Sequence, residues 1–124
     1  MSYKDMFISQ SSVAAESKER DVEGAVAALA AAGEPTRLRA LALLTEGELA
    51  VGELAQALGQ SQPRVSRHLR LLTEAGMVER IPEGAWVFYR LPDPRAHERR
   101  LADAALSMLD PADPVLARDR VQLR

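Results

Sequence analysis

Residues 51–76 read VGELAQALGQSQPRVSRHLRLLTEAG. Val51, Leu54, Ala55 and Leu58 recur at i, i+3, i+4 and i+7, the spacing of one helical face, and Gly59 stops the run. That helix begins on Ala50, which has no side-chain acceptor and caps poorly. Ser61 is a good N-cap for a second helix, and Pro63 falls in its first turn, where a missing N–H costs little. Val65, Leu69 and Leu72 then continue an apolar stripe until Gly76. The two helices, over 51–58 and about 62–75, are separated only by Gly59, Gln60 and Ser61, so they form a tight helix-turn-helix unit.

Upstream, Val22, Val26 and Leu29 stripe an alanine-rich helix that runs from Asp21 to Gly33. Pro35 suits the first turn of the next helix, in which Leu38, Leu41 and Leu44 repeat until Gly47. Downstream the character changes. Val78, Ile81, Trp86, Val87, Phe88 and Tyr89 bring β-branched and aromatic residues together, which predicts a hairpin with strands near 77–81 and 85–91. Its turn is expected at Pro82-Glu83-Gly84, and Pro92-Asp93-Pro94 closes it. A two-stranded ribbon is marginal alone, so Trp86, Phe88 and Tyr89 are expected to pack it against the helices. A fifth helix is predicted over Arg95–Leu109. After Asp110-Pro111 and Asp113-Pro114 a helical fragment, Val115–Leu123, runs to the end. Three helices, a tight turn and a ribbon, in that order, describe a mainly α fold with a β-hairpin wing: a winged helix-turn-helix of about five helices plus a two-stranded ribbon. Residues 1–20, polar and aperiodic, read as a flexible tail; 21–110 as the DNA-binding and dimerisation domain; 111–124 as a C-terminal tail or truncated linker helix.

Composition agrees. At 124 residues there is room for one core, and 21 Ala and 17 Leu against five aromatic residues favour helices. There is no cysteine, hence no disulfide framework and no thiolate metal site. Without a bilayer-length apolar run or a secretion signal at Met1–Gln10, a cytoplasmic protein with no membrane partner is expected. The net charge of −2 hides an uneven distribution. Residues 1–60 hold five basic and nine acidic groups, residues 61–100 eight and five, and residues 101–124 three and four. The eight basic groups of the middle segment are all arginine, whose planar fork suits phosphate and guanine. Catalysis has no support: His68 and His97 lie on different helices, with no nucleophile and base in reach of each other, so no enzyme and no cofactor are expected.

On the helix over 62–75, Val65, Leu69 and Leu72 fall within a sector of about 60°, while Arg64, Arg67, His68 and Arg70 point elsewhere. Gln62, Arg64, Ser66 and Arg67 are therefore the candidate groove-facing contacts to double-stranded DNA, with Ser61, His68 and Arg70 nearer phosphates. Arg80 and Arg90 flank the wing. A winged helix used to bind another protein is the rival reading, against which the three arginines of this helix speak, since a polyanion neutralises them best. The stripes of the first and fifth helices exceed what one small core needs. Val22, Val26 and Leu29, with Leu101, Ala105, Leu106, Met108 and Leu109, are thus the candidate seam of a homodimer.

Four segments, Glu34-Pro-Thr-Arg-Leu-Arg, Glu48-Leu-Ala-Val-Gly-Glu-Leu, Ser61-Gln-Pro-Arg-Val-Ser-Arg-His-Leu-Arg-Leu-Leu and Ala75-Gly-Met-Val-Glu-Arg, resemble in order and spacing the ArsR/SmtB winged-helix repressors over roughly residues 21–110. The resemblance implies a homodimeric repressor that pairs through its first and last helices, binds an inverted-repeat operator and leaves it when an effector binds. In the metal-sensing members two cysteines stand where this chain has Ala50 and Gly52, and the second metal site of the family would find only His97 and Asp103 here, so no metal is expected. The runs 59–69 and 83–91 are similar to the DNA-binding part of cysteine-free members often fused to an S-adenosylmethionine-dependent methyltransferase. This implies S-adenosylhomocysteine or S-adenosylmethionine as effector, and a chain that is the DNA-binding part of a larger fusion is an alternative.

Overall fold

The computed structural model describes residues 21–124, and the tail expected over residues 1–20 lies outside them. Four of the described helices open on a side chain that accepts a backbone N–H. Asp21 takes that of Gly24 at 2.6 Å and starts α1 (Val22–Ala32); Glu34 takes that of Arg37 at 2.9 Å and starts α2 (Pro35–Leu44). Ser61 takes that of Arg64 at 3.4 Å ahead of α4 (Gln62–Glu74), and Asp113 that of Val115 at 2.8 Å ahead of α6 (Pro114–Leu123). Between them, α3 (Val51–Leu58) starts on Ala50 without such a cap. Glu53 compensates by reaching back, its Oε1 accepting the Ala50 N–H at 2.9 Å. Gly59, with φ +67°, closes α3 in the left-handed conformation that glycine adopts at least cost.

The stripes predicted for α2, α3 and α4 supply most of the core, whereas Val22, Val26 and Leu29 of α1 are exposed and that helix buries Ala28, Ala31 and Ala32. Leu41, Leu43, Leu54, Val65, Leu69, Leu72 and Met77 are all fully buried and pack α2, α3 and α4 into one cluster. The helix-turn-helix and its wing are as expected, and the fold is a winged helix of six described helices.

The sheet differs in two respects. It has three strands, not two, in the order β1-β3-β2: β1 (Leu49–Ala50) pairs antiparallel with β3 (Trp86–Arg90), Leu49 opposite Tyr89 and Ala50 opposite Phe88. The turn also lies two residues later than predicted. Pro82 and Glu83 belong to β2 (Glu79–Glu83), and Glu83 faces Trp86 across a two-residue loop, Gly84-Ala85. Gly84 (φ +62°) occupies the first loop position, where such a loop needs a positive φ, and Pro82 is tolerated because β2 is an edge strand. Register decides the fate of the aromatics. Tyr89 is buried, so Val87 shares its inward face and Trp86 and Phe88 point to the other; Phe88 is half-buried, but Trp86 is 66% exposed, against the expectation that it packs on the helices.

The fifth helix, α5 (His97–Ser107), starts two residues later than predicted, because Asp93 holds the N–H groups of Arg95 and Ala96 in a turn, and ends two earlier, where the N–H groups of Met108 and Leu109 go to Ala105 and Leu106 three residues back. The last segment forms α6, which packs on α3 and α2. Its Asp119 is fully buried and bound twice by Arg39 of α2, each N–O distance 2.8 Å, while Arg39 Nη2 also donates to the Leu58 carbonyl at 3.1 Å.

Candidate nucleic-acid interface

α4 is divided lengthwise. Its Val65, Leu69 and Leu72 are fully buried, whereas Ser61, Gln62, Arg64, Ser66, Arg67 and Arg70 are exposed. Arg64 and Arg67 have no ion-pair partner among the described residues. Arg70 lies 3.9 Å from Glu74 one turn on, a solvated contact of small energetic weight. The start of the helix adds a positive dipole end, although Pro63 has no N–H and those of Arg64 and Val65 are taken by Ser61.

His68 is placed differently from its neighbours. It is half-buried and turned back onto α2, with Nδ1 3.2 Å from Arg37 Nη1 and 3.6 Å from Glu34 Oε2. A guanidinium can only donate, so Nδ1 accepts and the ring proton sits on Nε2. Burial, with Arg37, Arg64 and Arg67 nearby, holds the imidazole below its ordinary value despite the opposing pull of Glu34. For Glu34, burial pushes the carboxyl up, but the N–H groups of Arg37 and Thr36 and the charges of His68 and Arg37 outweigh it and leave it below its ordinary value. Arg37 also donates from Nε to the Ala31 carbonyl and from Nη2 to that of Ala30 at 3.4 Å, capping the end of α1. Sequence reasoning did not single out Arg37. Its only signal was its place in the Glu34-Pro-Thr-Arg segment. With Arg64, Arg67, His68, Thr36 and Gln60 it lines a polar cleft of ≈ 500 Å³ beside the exposed face of α4.

On the wing, Arg80 is exposed and has no ion-pair partner among the described residues, while Arg90 is bound to Glu79 on the facing strand at 2.9 Å. The wing therefore brings one uncommitted guanidinium to the surface, not two.

Along α1 and α5, Val22, Val26, Leu29 and Met108 are exposed, and Leu101, Ala105, Leu106 and Leu109 are half-buried. Leu29, Leu38, Met77, Leu101, Met108 and Leu109 line an apolar groove of ≈ 220 Å³ between α1 and α5. Among the described residues the donor set does not fit a metal. No cluster of three or more His, Asp, Glu or Cys exists among the described residues, Ala50 and Gly52 bring no ligand atom, and Asp103 is held by Arg99 at 2.9 Å. No helix among the described residues is long and apolar enough to cross a membrane.

A tight helix pair with one exposed basic helix, backed by a β-ribbon, defines the class of winged helix-turn-helix domains. Residues 34–80 match the model of bacterial regulatory proteins of the arsR family. The chain is 52% identical over 59 residues to the arsenical resistance operon repressor of Escherichia coli, a stretch that covers 47% of this chain and 50% of that protein. It is 44% identical over 62 residues to the biofilm growth-associated repressor of Xylella fastidiosa, covering 50% of this chain and 54% of that one. The match thus spans about half the length of these relatives. Among solved structures, HlyU from Vibrio cholerae aligns with a TM-score of 0.61 at 32% identity, covering 73% of this chain and 92% of that chain. The transcriptional repressor BigR from Xylella fastidiosa aligns with a TM-score of 0.57 at 31% identity, covering 87% and 93%. The chain belongs to the arsR family of bacterial regulatory proteins.

Proposed function

We propose that this chain is a DNA-binding transcriptional repressor of the cytoplasm, not an enzyme, that holds an inverted-repeat operator as a homodimer and releases it when a small organic effector binds. One observation carries the reading: α4 buries Val65, Leu69 and Leu72 completely and leaves Gln62, Arg64, Ser66 and Arg67 outside, two of them uncommitted guanidiniums. Those four side chains read base edges in the major groove. Ser61, Arg70 and the Nε2–H of His68 hold phosphates, and on the wing Arg80 does so more than Arg90, which Glu79 neutralises. Residues 21–110 carry both DNA binding and dimerisation, the latter through the apolar surface of α1 and α5. A repressor name on similar proteins supports the sign of regulation.

The test is Arg64→Ala and Arg67→Ala in a gel-shift or anisotropy titration against operator DNA. Each is expected to cost about 1–3 kcal/mol, and a bidentate guanine contact shows as relaxed preference at one base pair. Unchanged affinity in both variants removes α4 from the reading role. Salt separates this reading from a protein-binding winged helix, since phosphate-driven affinity falls steeply with ionic strength. The absence of a fitting ligand set directs the effector away from metals. S-adenosylhomocysteine and S-adenosylmethionine are favoured by sequence resemblance alone. Titrating the operator complex with zinc, copper and both nucleosides decides it, and DNA release by tight zinc binding overturns the choice.

A further inference from the structure

We propose that Trp86, the chain's sole tryptophan, is a DNA contact of the wing, and that this contact is apolar where those of α4 are ionic. It rests on the reading that α4 faces the duplex. The indole is 66% exposed on a strand whose Tyr89, three residues on, is 6% exposed, and leaving so large an apolar ring in water forgoes the free energy that burying it returns. Pairing explains its position: Trp86 sits at the first pair after the two-residue turn, opposite Glu83, in a ribbon whose Phe88 and Tyr89 also pair with β1. The indole lines an open groove of ≈ 810 Å³ with Ala85 and Phe88 on one side and the start of α3, including Glu53 and Gln56, on the other, and Gln62, the first residue of α4, completes it. A duplex seated on Gln62, Arg64 and Arg67 therefore meets the indole at the edge of the same surface.

Charge determines what kind of contact this is. On the face of the ribbon that Trp86 occupies, Arg90 is paired with Glu79 and Glu83 stands directly opposite the indole, so nothing there attracts a phosphate. What this face offers is a flat apolar ring, which fits the deoxyribose edge of the backbone or the floor of a minor groove and carries little base information. The salt dependence of binding must then come from α4 and Arg80, while Trp86 adds affinity that salt does not erode.

The sole indole reports on itself. Operator DNA added to the wild-type protein should shift its emission and shield it from acrylamide, with the free protein at the same concentration as baseline. Trp86→Ala should bind about tenfold more weakly, with the slope of log affinity against log salt unchanged, while Trp86→Phe recovers most of the loss. Arg67→Ala should lower that slope instead. Unmoved emission and unmoved acrylamide quenching at saturating DNA overturn the proposal, as does a reduced salt slope in Trp86→Ala. The two readings fail separately. DNA binding that is lost in Arg64→Ala and Arg67→Ala, with Trp86 unshielded in the wild-type complex, removes the wing contact and keeps α4. Trp86 shielded by DNA in those variants, at wild-type affinity, keeps the wing contact and removes α4.

Discussion

At His68 three elements meet: the ring belongs to α4, its Nδ1 accepts from Arg37 of α2, and the same guanidinium caps the carbonyl end of α1. Its acid-base behaviour is a stability statement. The imidazole is held below its ordinary 6.5, by burial first and then by Arg37, Arg64 and Arg67, so the unfolded chain takes up a proton before the folded one does. The resulting stabilisation is complete above about pH 6.5 and is lost as pH falls from there through the lower folded value. Glu34, also lowered, adds a second loss that sets in only below its ordinary 4.5. Melting temperature should therefore drop between about pH 7 and about pH 5, and His68→Gln should flatten that window while leaving the acid limb below it. An unaltered pH profile in the variant would show that the titration lies elsewhere. The sequence showed His68 between Arg67 and Arg70 and suggested a phosphate contact for that reason. A helical step of 100° also turns its Nδ1 edge toward α2, and only the packed structure says which carboxylate and guanidinium wait there.

Among the elements, those with a period were legible and those fixed by partners were not. The helices α1 to α5 follow from spacing, and the cap of α4 from Ser61, because side chain and backbone requirement lie within one turn of each other; the caps at Asp21 and Glu34 were not read. β1 is two residues long and has no alternation to detect; its existence depends on Tyr89 and Phe88, about forty positions away. The hairpin turn was displaced because Pro82 looks like a turn former until the edge position of β2 makes it harmless. α6 was legible as a helix but not as a packed one, since its ion pair, Asp119 to Arg39, joins residues separated by eighty positions. This pair makes a sharp prediction. Asp119→Ala leaves the half-buried Arg39 guanidinium with only the Leu58 carbonyl, and should lower stability by about 2 kcal/mol in denaturant melts, with Arg39→Met in the same background recovering part of it. If Asp119→Ala melts like the wild type, α6 is not fastened to α2 in the way described. DNA affinity measured well below the melting temperature should change little, because neither residue lies on the exposed face of α4.

For the whole molecule the question is what covers α1 and α5. A domain of this size can leave scattered apolar side chains in water, but Val22, Val26, Leu29 and Met108 lie on two helices that share one apolar groove. A single reading helix covers one half-site, and a two-fold axis through this groove would set two α4 helices side by side on an inverted repeat. The exposures choose the variants that test it. Leu106 and Leu109 are half-buried within the protomer, so a charge there damages the fold and the seam together. Leu29 is 63% exposed and Met108 81%, so Leu29→Glu and Met108→Glu cost the isolated protomer little and place a charge in the seam alone. Light scattering at micromolar concentration should give a dimer for the wild type and a monomer for the double variant, with helical circular dichroism retained. Operator affinity should then collapse to that of a half-site, while binding to a duplex with one half-site stays near wild type. A wild-type monomer with full operator affinity, or a double variant that remains dimeric, would move the partner surface off α1 and α5, and the exposed residues there would need another occupant.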